Sequence, residues 1–189
     1  LLLVDDDRLV LSTLGSGLLD AGFEISTAES SEDAETLLAS GMRPDLAIVD
    51  IRMSGQDGLY LARRLRELDH IPFLMLSAYS EQRMIDLATR HGALGYLVKP
   101  LDTPQLLPAI EAALSRANEL QILRDTRAQL QAALDAERDI SVAIGITMMQ
   151  HQLVRQDAFE LLRKTARSQR RKLAELATEI IRAPQSFKP

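Results

Sequence analysis

Four short apolar runs each end in polar side chains. Residues 1–4 are Leu-Leu-Leu-Val and lead into Asp5, Asp6 and Asp7; Leu46-Ala-Ile-Val runs into Asp50; Phe73-Leu-Met-Leu is closed by Ser77; Tyr96-Leu-Val is followed by Lys99-Pro100. A four-residue apolar run, partly β-branched, reads as a buried parallel strand. A carboxylate placed just after it is costly unless the strand surfaces there. In open α/β sheets that is where ligand sites lie, outside the carboxyl ends of the strands. If the first and third strands are neighbours, Asp5, Asp6 and Asp50 crowd one edge and repel one another until a cation joins them. Mg²⁺ suits such a set, because it takes a few carboxylate oxygens together with water and phosphoryl oxygens. The Ser77 hydroxyl and the Lys99 ammonium then complete a cage for an anionic group bonded to Asp50. Phosphoryl is the group that fits, with transfer driven by positioning and charge neutralisation.

The elements that must position these residues follow from periodicity and punctuation. Helices are predicted over residues 8–21, 31–40, 59–68, 82–91 and from about 103 onward, alternating with strands at 1–4, 23–28, 46–49, 73–76 and 96–98. Ser30 or Ser31 is the expected N-cap of the second helix. Gly15 and Gly17 weaken the first helix by up to about 1 kcal/mol each relative to alanine. Five strands alternating with five helices predict an α/β doubly wound parallel sheet, ordered 2-1-3-4-5. The segment Ser54-Gly-Gln-Asp-Gly after Asp50 reads as a loop.

The chain changes character after Pro108. Residues 109–150 contain no proline and one glycine, Gly145. Leu120, Leu123, Arg127, Leu130 and Leu134 alternate three- and four-residue steps, a short coiled-coil seam with one arginine in it. A long helix is expected here, joining two modules and pairing with a second copy. From residue 139 the chain reads as three helical pieces: one ending near 150, one over 157–166, and one over 170–182. Each carries a one-sided apolar stripe, and together they predict a small three-helix bundle. The expected domains are therefore residues 1–117, a helical linker at 118–138, and the bundle at 139–189.

Charge divides along the same line. The net charge of -5 combines -8 over residues 1–118 with +3 over residues 119–189. An acidic front and a basic tail predict two modules with different partners. With no cysteine in 189 residues, disulfides and thiolate metal sites are excluded. No apolar run approaches the roughly 18 residues of a membrane span, and a reducing cytoplasm is the compartment expected. The chain opens inside a strand without a methionine, so its native N-terminus is expected upstream.

The motifs Leu2-Leu-Val-Asp5-Asp6-Asp7, Leu46-Ala-Ile-Val-Asp50-Ile-Arg52-Met53, Leu76-Ser77-Ala78 and Tyr96-Leu-Val-Lys99-Pro100 occur in this order. Together they resemble the receiver domain of two-component response regulators, over about residues 1–117. The resemblance implies that Asp50 is the phosphoacceptor and that a sensor histidine kinase is its donor. It implies that Asp6 binds Mg²⁺ directly, that Asp5 assists, and that the Arg52 carbonyl is a further ligand. It also implies that Ser77 and Lys99 engage the phosphoryl group, that Tyr96 is the aromatic switch, and that Lys99-Pro100 is a cis peptide. The chain departs from the family pattern at Ser54, where proline is usual.

Over about residues 126–183 the chain resembles the ANTAR domain, the RNA-binding output of transcription antitermination regulators. The resemblance rests on Ala143-Ile-Gly-Ile-Thr-Met-Met149, Asp157-Ala-Phe-Glu-Leu-Leu-Arg-Lys164 and Arg170-Arg-Lys-Leu-Ala-Glu-Leu-Ala177. Arg163, Lys164, Arg167, Arg170, Arg171 and Lys172 form the basic cluster expected to meet RNA phosphates. RNA hairpins are the implied target, with two copies of the chain holding two adjacent hairpins. Ile144 stands where the family often has lysine, a departure that bears on one RNA contact the resemblance implies. Phe159 and Phe187 are the aromatic residues of the tail, too few to announce a stacking platform.

Three rival classes are weighed beside this reading. The tail could serve as a protein-interaction module with no RNA target. DNA binding is less favoured, because no helix-turn-helix pattern with a tight glycine turn appears. An enzyme using an aspartate nucleophile ranks last: it wants a second carboxylate two residues beyond Asp50, and Arg52 stands there.

Overall fold

The computed structural model describes residues 1–53, 57–78 and 82–182. Ser54, with the loop around it, and Phe187 lie outside the described residues. The chain divides into two compact units, Leu1–Gln121 and Ile122–Pro189.

In the first unit, strands β1 (Leu2–Val4), β2 (Ser26–Ala28), β3 (Ala47–Asp50), β4 (Phe73–Ser77) and β5 (Gly95–Val98) alternate with helices α1 (Arg8–Asp20), α2 (Ser31–Ala39), α3 (Gly58–Arg64), α4 (Gln82–Arg90) and α5 (Thr103–His151). The sheet is parallel throughout and ordered β2-β1-β3-β4-β5, as the sequence predicts. Alternate strand residues feed opposite faces. Leu2, Val4, Val49, Phe73 and Met75 pack with Leu38 of α2, Leu61 of α3 and Ala88 of α4. Leu3, Ile48, Leu74 and Leu76 pack with Leu14 and Leu18 of α1 and with Leu106 and Ile110 of α5. Both faces are covered, which is why the strands read as near-continuous apolar runs.

Local structure differs from the sequence reading at the second strand and the third helix. The second strand begins at Ser26 rather than at residue 23; Phe23 and Ile25 pack against the core without joining the ladder. The third helix gives way after Arg64 to a π-helical turn, Leu65–Asp69, which ends at His70 in a left-handed conformation (φ 55°). Arg64 is ion-paired with Glu35 and Asp69 beside this turn. Gly17, a liability by helix propensity, has a packing reason: a Cβ there would lie 2.1 Å from Thr103 Oγ1. The missing side chain lets α1 approach the first residue of α5.

Helix α5 runs unbroken to His151 with Pro108 inside it, in its second turn. Every residue from 118 to 135 is exposed, including Leu123, Leu130 and Leu134 at more than 60%. In the second unit the last turns of α5 pack with α6 (Arg155–Ser168) and α7 (Leu173–Arg182). The first of the three expected pieces is the end of α5, continuous with the long helix expected over residues 109–150. The third piece starts at Leu173 instead of residue 170. Arg170 is left-handed (φ 54°), and that conformation ends one helix and delays the next. Ala143, Ile144, Ala158, Leu162, Leu176 and Ile180 form the core of this bundle. Thr178 of α7 donates a hydrogen bond to Asp139 of α5 (3.1 Å), tying the two helices at one end.

Candidate functional site

At the carboxyl edge of the sheet, β1 and β3 are hydrogen-bonded neighbours, and the chain leaves both strands through carboxylates. Asp5 is fully buried, Asp50 is 6% exposed, and Asp6 is exposed. One oxygen from each of the three lies within 4.8 Å of the others. Lys99, arriving from β5, donates to Asp5 Oδ2 and sits 3.3 Å from Asp50 Oδ1. Four residues separated by up to 94 positions therefore meet in one pocket. Lys99 is held there by its backbone N–H, which donates to the Ser77 carbonyl (2.8 Å), and the Lys99–Pro100 peptide is cis.

The rest of the edge is arranged around this group. Asp50 pairs in register with Leu76, so Ser77, buried at the end of β4, stands one step further along the adjacent strand. Tyr96 lies within β5 opposite Met75 and packs half-buried against the α2–α4 face. Arg52 is exposed two residues beyond Asp50. Asp7 does not join the cluster: its carboxylate accepts from Leu9 N–H (2.8 Å) and caps α1. Asp5 is oriented in turn by the Asp7 N–H, which donates to Asp5 Oδ1 (3.0 Å).

Burial pushes the Asp50 carboxyl up from its usual 3.8 to about 6; Lys99 opposes the rise, and the charges of Asp5 and Asp6 add to it. A cluster of this kind holds excess negative charge in a partly dry place. All its donors on the acidic side are carboxylate oxygens, the set that a small hard cation takes.

One contributor was not singled out from the sequence. Gly58, the first residue of α3, packs so closely on the strand end that a Cβ would fall 1.9 Å from the Asp50 carbonyl oxygen. Its N–H donates to the Ile51 carbonyl (3.0 Å), and Asp57 caps the same helix by accepting from Leu59 N–H (3.1 Å). Only the Asp57-Gly58 pair hinted at this, and it reads first as a turn signal.

The basic residues of the tail are elsewhere, in the second unit. Arg163, Lys164 and Arg167 lie on α6, while Arg170, Arg171 and Lys172 make the turn into α7. Arg171 is ion-paired with Glu179 of α7, and Arg163 makes a long contact with Glu160 (3.4 Å). Ile144, at the position where the family often has lysine, is 5% exposed and part of the bundle core. In this chain the position packs in the bundle core and lines the groove between α5 and α6.

Comparison with known proteins agrees with both halves. The response regulator receiver domain model matches residues 1–111, and the ANTAR domain model matches residues 128–181. The transcriptional regulatory protein PdtaR of Mycobacterium tuberculosis is 31% identical over 188 residues, covering 97% of this chain and 91% of its own length. The phosphate regulon regulatory protein PhoB of Rhizobium meliloti is 39% identical over 119 residues, which is 60% of this chain and 51% of PhoB. Among solved structures, the chemotaxis response regulator CheY4 of Vibrio cholerae superposes with a TM-score of 0.55 at 29% identity, covering 59% of this chain and 95% of CheY4. With its acidic strand-end cluster, its matched receiver and its matched tail, the chain belongs to the response regulators: a receiver domain followed by an ANTAR domain, the build of a response regulator that acts as an RNA-binding transcription antiterminator.

Proposed function

We propose that phosphoryl transfer to Asp50 is the event that switches this regulator. The observation that carries the reading is the single pocket in which Asp5, Asp6 and Asp50 approach within 4.8 Å while Lys99 bridges two of them. An Asp50 oxygen attacks the phosphorus of a phosphohistidine on a sensor histidine kinase. The new O–P bond forms as the N–P bond breaks, and the imidazole leaves. Asp5, Asp6, Asp50 and the Arg52 carbonyl are the residues that would hold Mg²⁺. Bound there, the ion supplies positive charge for the carboxylates and the phosphoryl oxygens. Lys99 exchanges its carboxylate partners for a phosphoryl oxygen, and the Ser77 hydroxyl donates to another. The modification adds about -1.5 to -2 charges to the edge, and the repositioning of Ser77 and Tyr96 carries that change to the β4–β5 side.

The output is RNA binding by the bundle, in the cytoplasm, by a homodimer paired through the linker at residues 118–138. The leucine seam supports the pairing: Leu120, Leu123, Leu130 and Leu134 are all exposed, on the stretch of α5 where every residue from 118 to 135 faces solvent. The target is a pair of RNA hairpins in a nascent transcript. Aspartate chemistry here modifies the protein itself, which is the work of a regulator and not of an enzyme with a turnover substrate. No described helix is long and apolar enough to cross a membrane.

The test is direct. RNA co-purifying with the full chain is sequenced, and one recovered two-hairpin RNA is titrated with protein before and after treatment with acetyl phosphate and Mg²⁺. Affinity or oligomeric state is expected to change for the native chain and not for Asp50→Asn. Identical curves for treated and untreated native protein would end the switch reading, and recovery of no RNA would end the output reading.

A further inference from the structure

Between the last turns of α5 and the start of α6 lies an open groove of about 550 Å³. Its floor is apolar: Ile140, Ile144 and the half-buried ring of Phe159. Its rim is polar: Glu137 and Ser141 on α5, Arg155 and Gln156 on α6. These four rim side chains have no hydrogen-bond or ion-pair partner among the described residues. An apolar floor with a few convergent, unengaged polar groups is the composition of a small-ligand pocket. The groove lies wholly within the second unit.

The same helix continues the pattern outward. Arg155, Phe159, Arg163 and Arg167 recur at four-residue steps, so they form one ridge along α6. The ridge spans about 18 Å at 1.5 Å per residue. Arg163, in contact with Glu160, and Arg167 border the neighbouring groove with Asp157 and Lys164, while the Phe159 ring faces the α5–α6 groove. A basic track with an inset aromatic is suited to a nucleic-acid strand whose phosphates follow the arginines and whose base turns inward onto the ring.

We propose that the α5–α6 groove takes an unpaired base of the bound RNA, stacked on Phe159. The rim reads its edge: Arg155 and Gln156 donate to base acceptors, and the Glu137 carboxylate accepts from a base N–H. Arg163 and Arg167 hold the flanking phosphates. The proposal rests on the RNA-binding reading above and assigns sequence preference to a site distinct from the general basic surface. Filling of the groove by a second copy of this chain is disfavoured, because four of its seven lining residues are polar or charged.

The experiment uses the full chain and a pool of RNA hairpins with one fixed stem and a randomised loop. Native protein is expected to enrich one nucleotide at one loop position. Phe159→Leu keeps apolar volume and removes the ring; it is expected to lose that enrichment and to weaken binding of the selected hairpin about ten-fold. Phe159→Tyr keeps the ring and the preference. Gln156→Ala, at an exposed position, is expected to relax the preference with the fold intact. Arg163→Ala is expected to weaken all hairpins alike and to flatten the salt dependence. If Phe159→Leu and Gln156→Ala both bind with unchanged strength and preference, the base pocket is overturned while RNA binding stands. If they instead shift the oligomeric state and leave RNA selection untouched, the groove belongs to a second copy and the proposal is overturned. If native protein retains no hairpin, the RNA reading itself fails and takes the proposal with it.

Discussion

The two charged regions of this chain are built on opposite physical terms. The acidic site of the receiver is inside: Asp5 is fully buried, Asp50 nearly so, and Lys99 is engaged with both. The basic ridge of the bundle is outside, and its arginines stand largely in solvent. Buried like charges are expensive and paired at close range, so one added or removed charge alters the local balance by several kcal/mol. Exposed charges cost little and are screened, so their binding is graded by salt and by how many contacts form. A switch belongs in the first environment and a reader of long, variable polyanions in the second.

The strongest way to break the comparison is at Asp50 itself. Asp50→Asn is expected to abolish acyl-phosphate formation outright, read as loss of the phosphoprotein band after acetyl phosphate treatment. The same substitution is expected to make the metal-free protein more stable. The native Asp50 carboxyl holds its proton up to about pH 6, whereas unfolding returns it to 3.8. The folded state therefore binds more protons between these values, and metal-free stability falls as pH rises from about 4 to 6, by about 3 kcal/mol. Above pH 6 the deficit persists. Urea titrations of native protein and Asp50→Asn in a chelator should converge near pH 4 and separate towards pH 7. A constant separation across that range would mean that burial is not what disfavours the Asp50 charge.

Lys99 sharpens the same point. Lys99→Ala leaves Asp5 and Asp50 facing each other with their cation gone, and is expected to cost about 3 kcal/mol in chelator. Millimolar Mg²⁺ should restore much of it, because a metal ion replaces the lost charge. The equivalent truncation on the ridge, Arg167→Ala, is expected to move stability by less than about 0.5 kcal/mol. Gly58→Ala acts by shape alone. Its Cβ meets the Asp50 carbonyl at 1.9 Å, so the strand end must shift, at a cost of about 1–3 kcal/mol together with slower phosphorylation. Phosphorylation at the native rate would show that the loop absorbs the methyl group without moving Asp50.

How much of this was legible depends on what kind of signal each residue leaves. Asp5, Asp50, Ser77 and Lys99 announce themselves because a polar residue interrupts an apolar run at the same place in several strands, and alternation with helices makes those strands one parallel sheet. Gly58 leaves no such trace, since its role is a distance to a backbone atom eight residues earlier in the chain. The π-helical turn at Leu65–Asp69 is equally silent: the apolar spacing of the helix continues through it, and the change lies in backbone hydrogen bonding. The surroundings of Ile144 were equally hidden. It is core as well as groove lining, because in a small bundle the last turns of α5 pack with both α6 and α7. The groove beside it shows why two tail aromatics looked uninformative. Phe159 is one ring, but its four-residue spacing from Arg155 and Arg163 becomes meaningful only when α6 is seen to bound a groove.

The smallest expected effect on folding comes from the leucine seam, and it separates the two regions most cleanly. Leu123 and Leu130 are more than 60% exposed on a stretch of α5 where every residue faces solvent. Replacing both with glutamate removes no intramolecular packing, so the urea midpoint of the dilute protein should move by less than about 0.5 kcal/mol. If the seam pairs two copies, the same change places like charges at facing positions and disperses the dimer. Sedimentation should then report a monomer, while acetyl phosphate still modifies Asp50 at the native rate and affinity for a two-hairpin RNA falls towards that for a single hairpin, through lost effective concentration. An unchanged dimer would place the pairing surface elsewhere. A lost midpoint would mean that the exposed leucines support the fold of one chain, contrary to their solvent exposure.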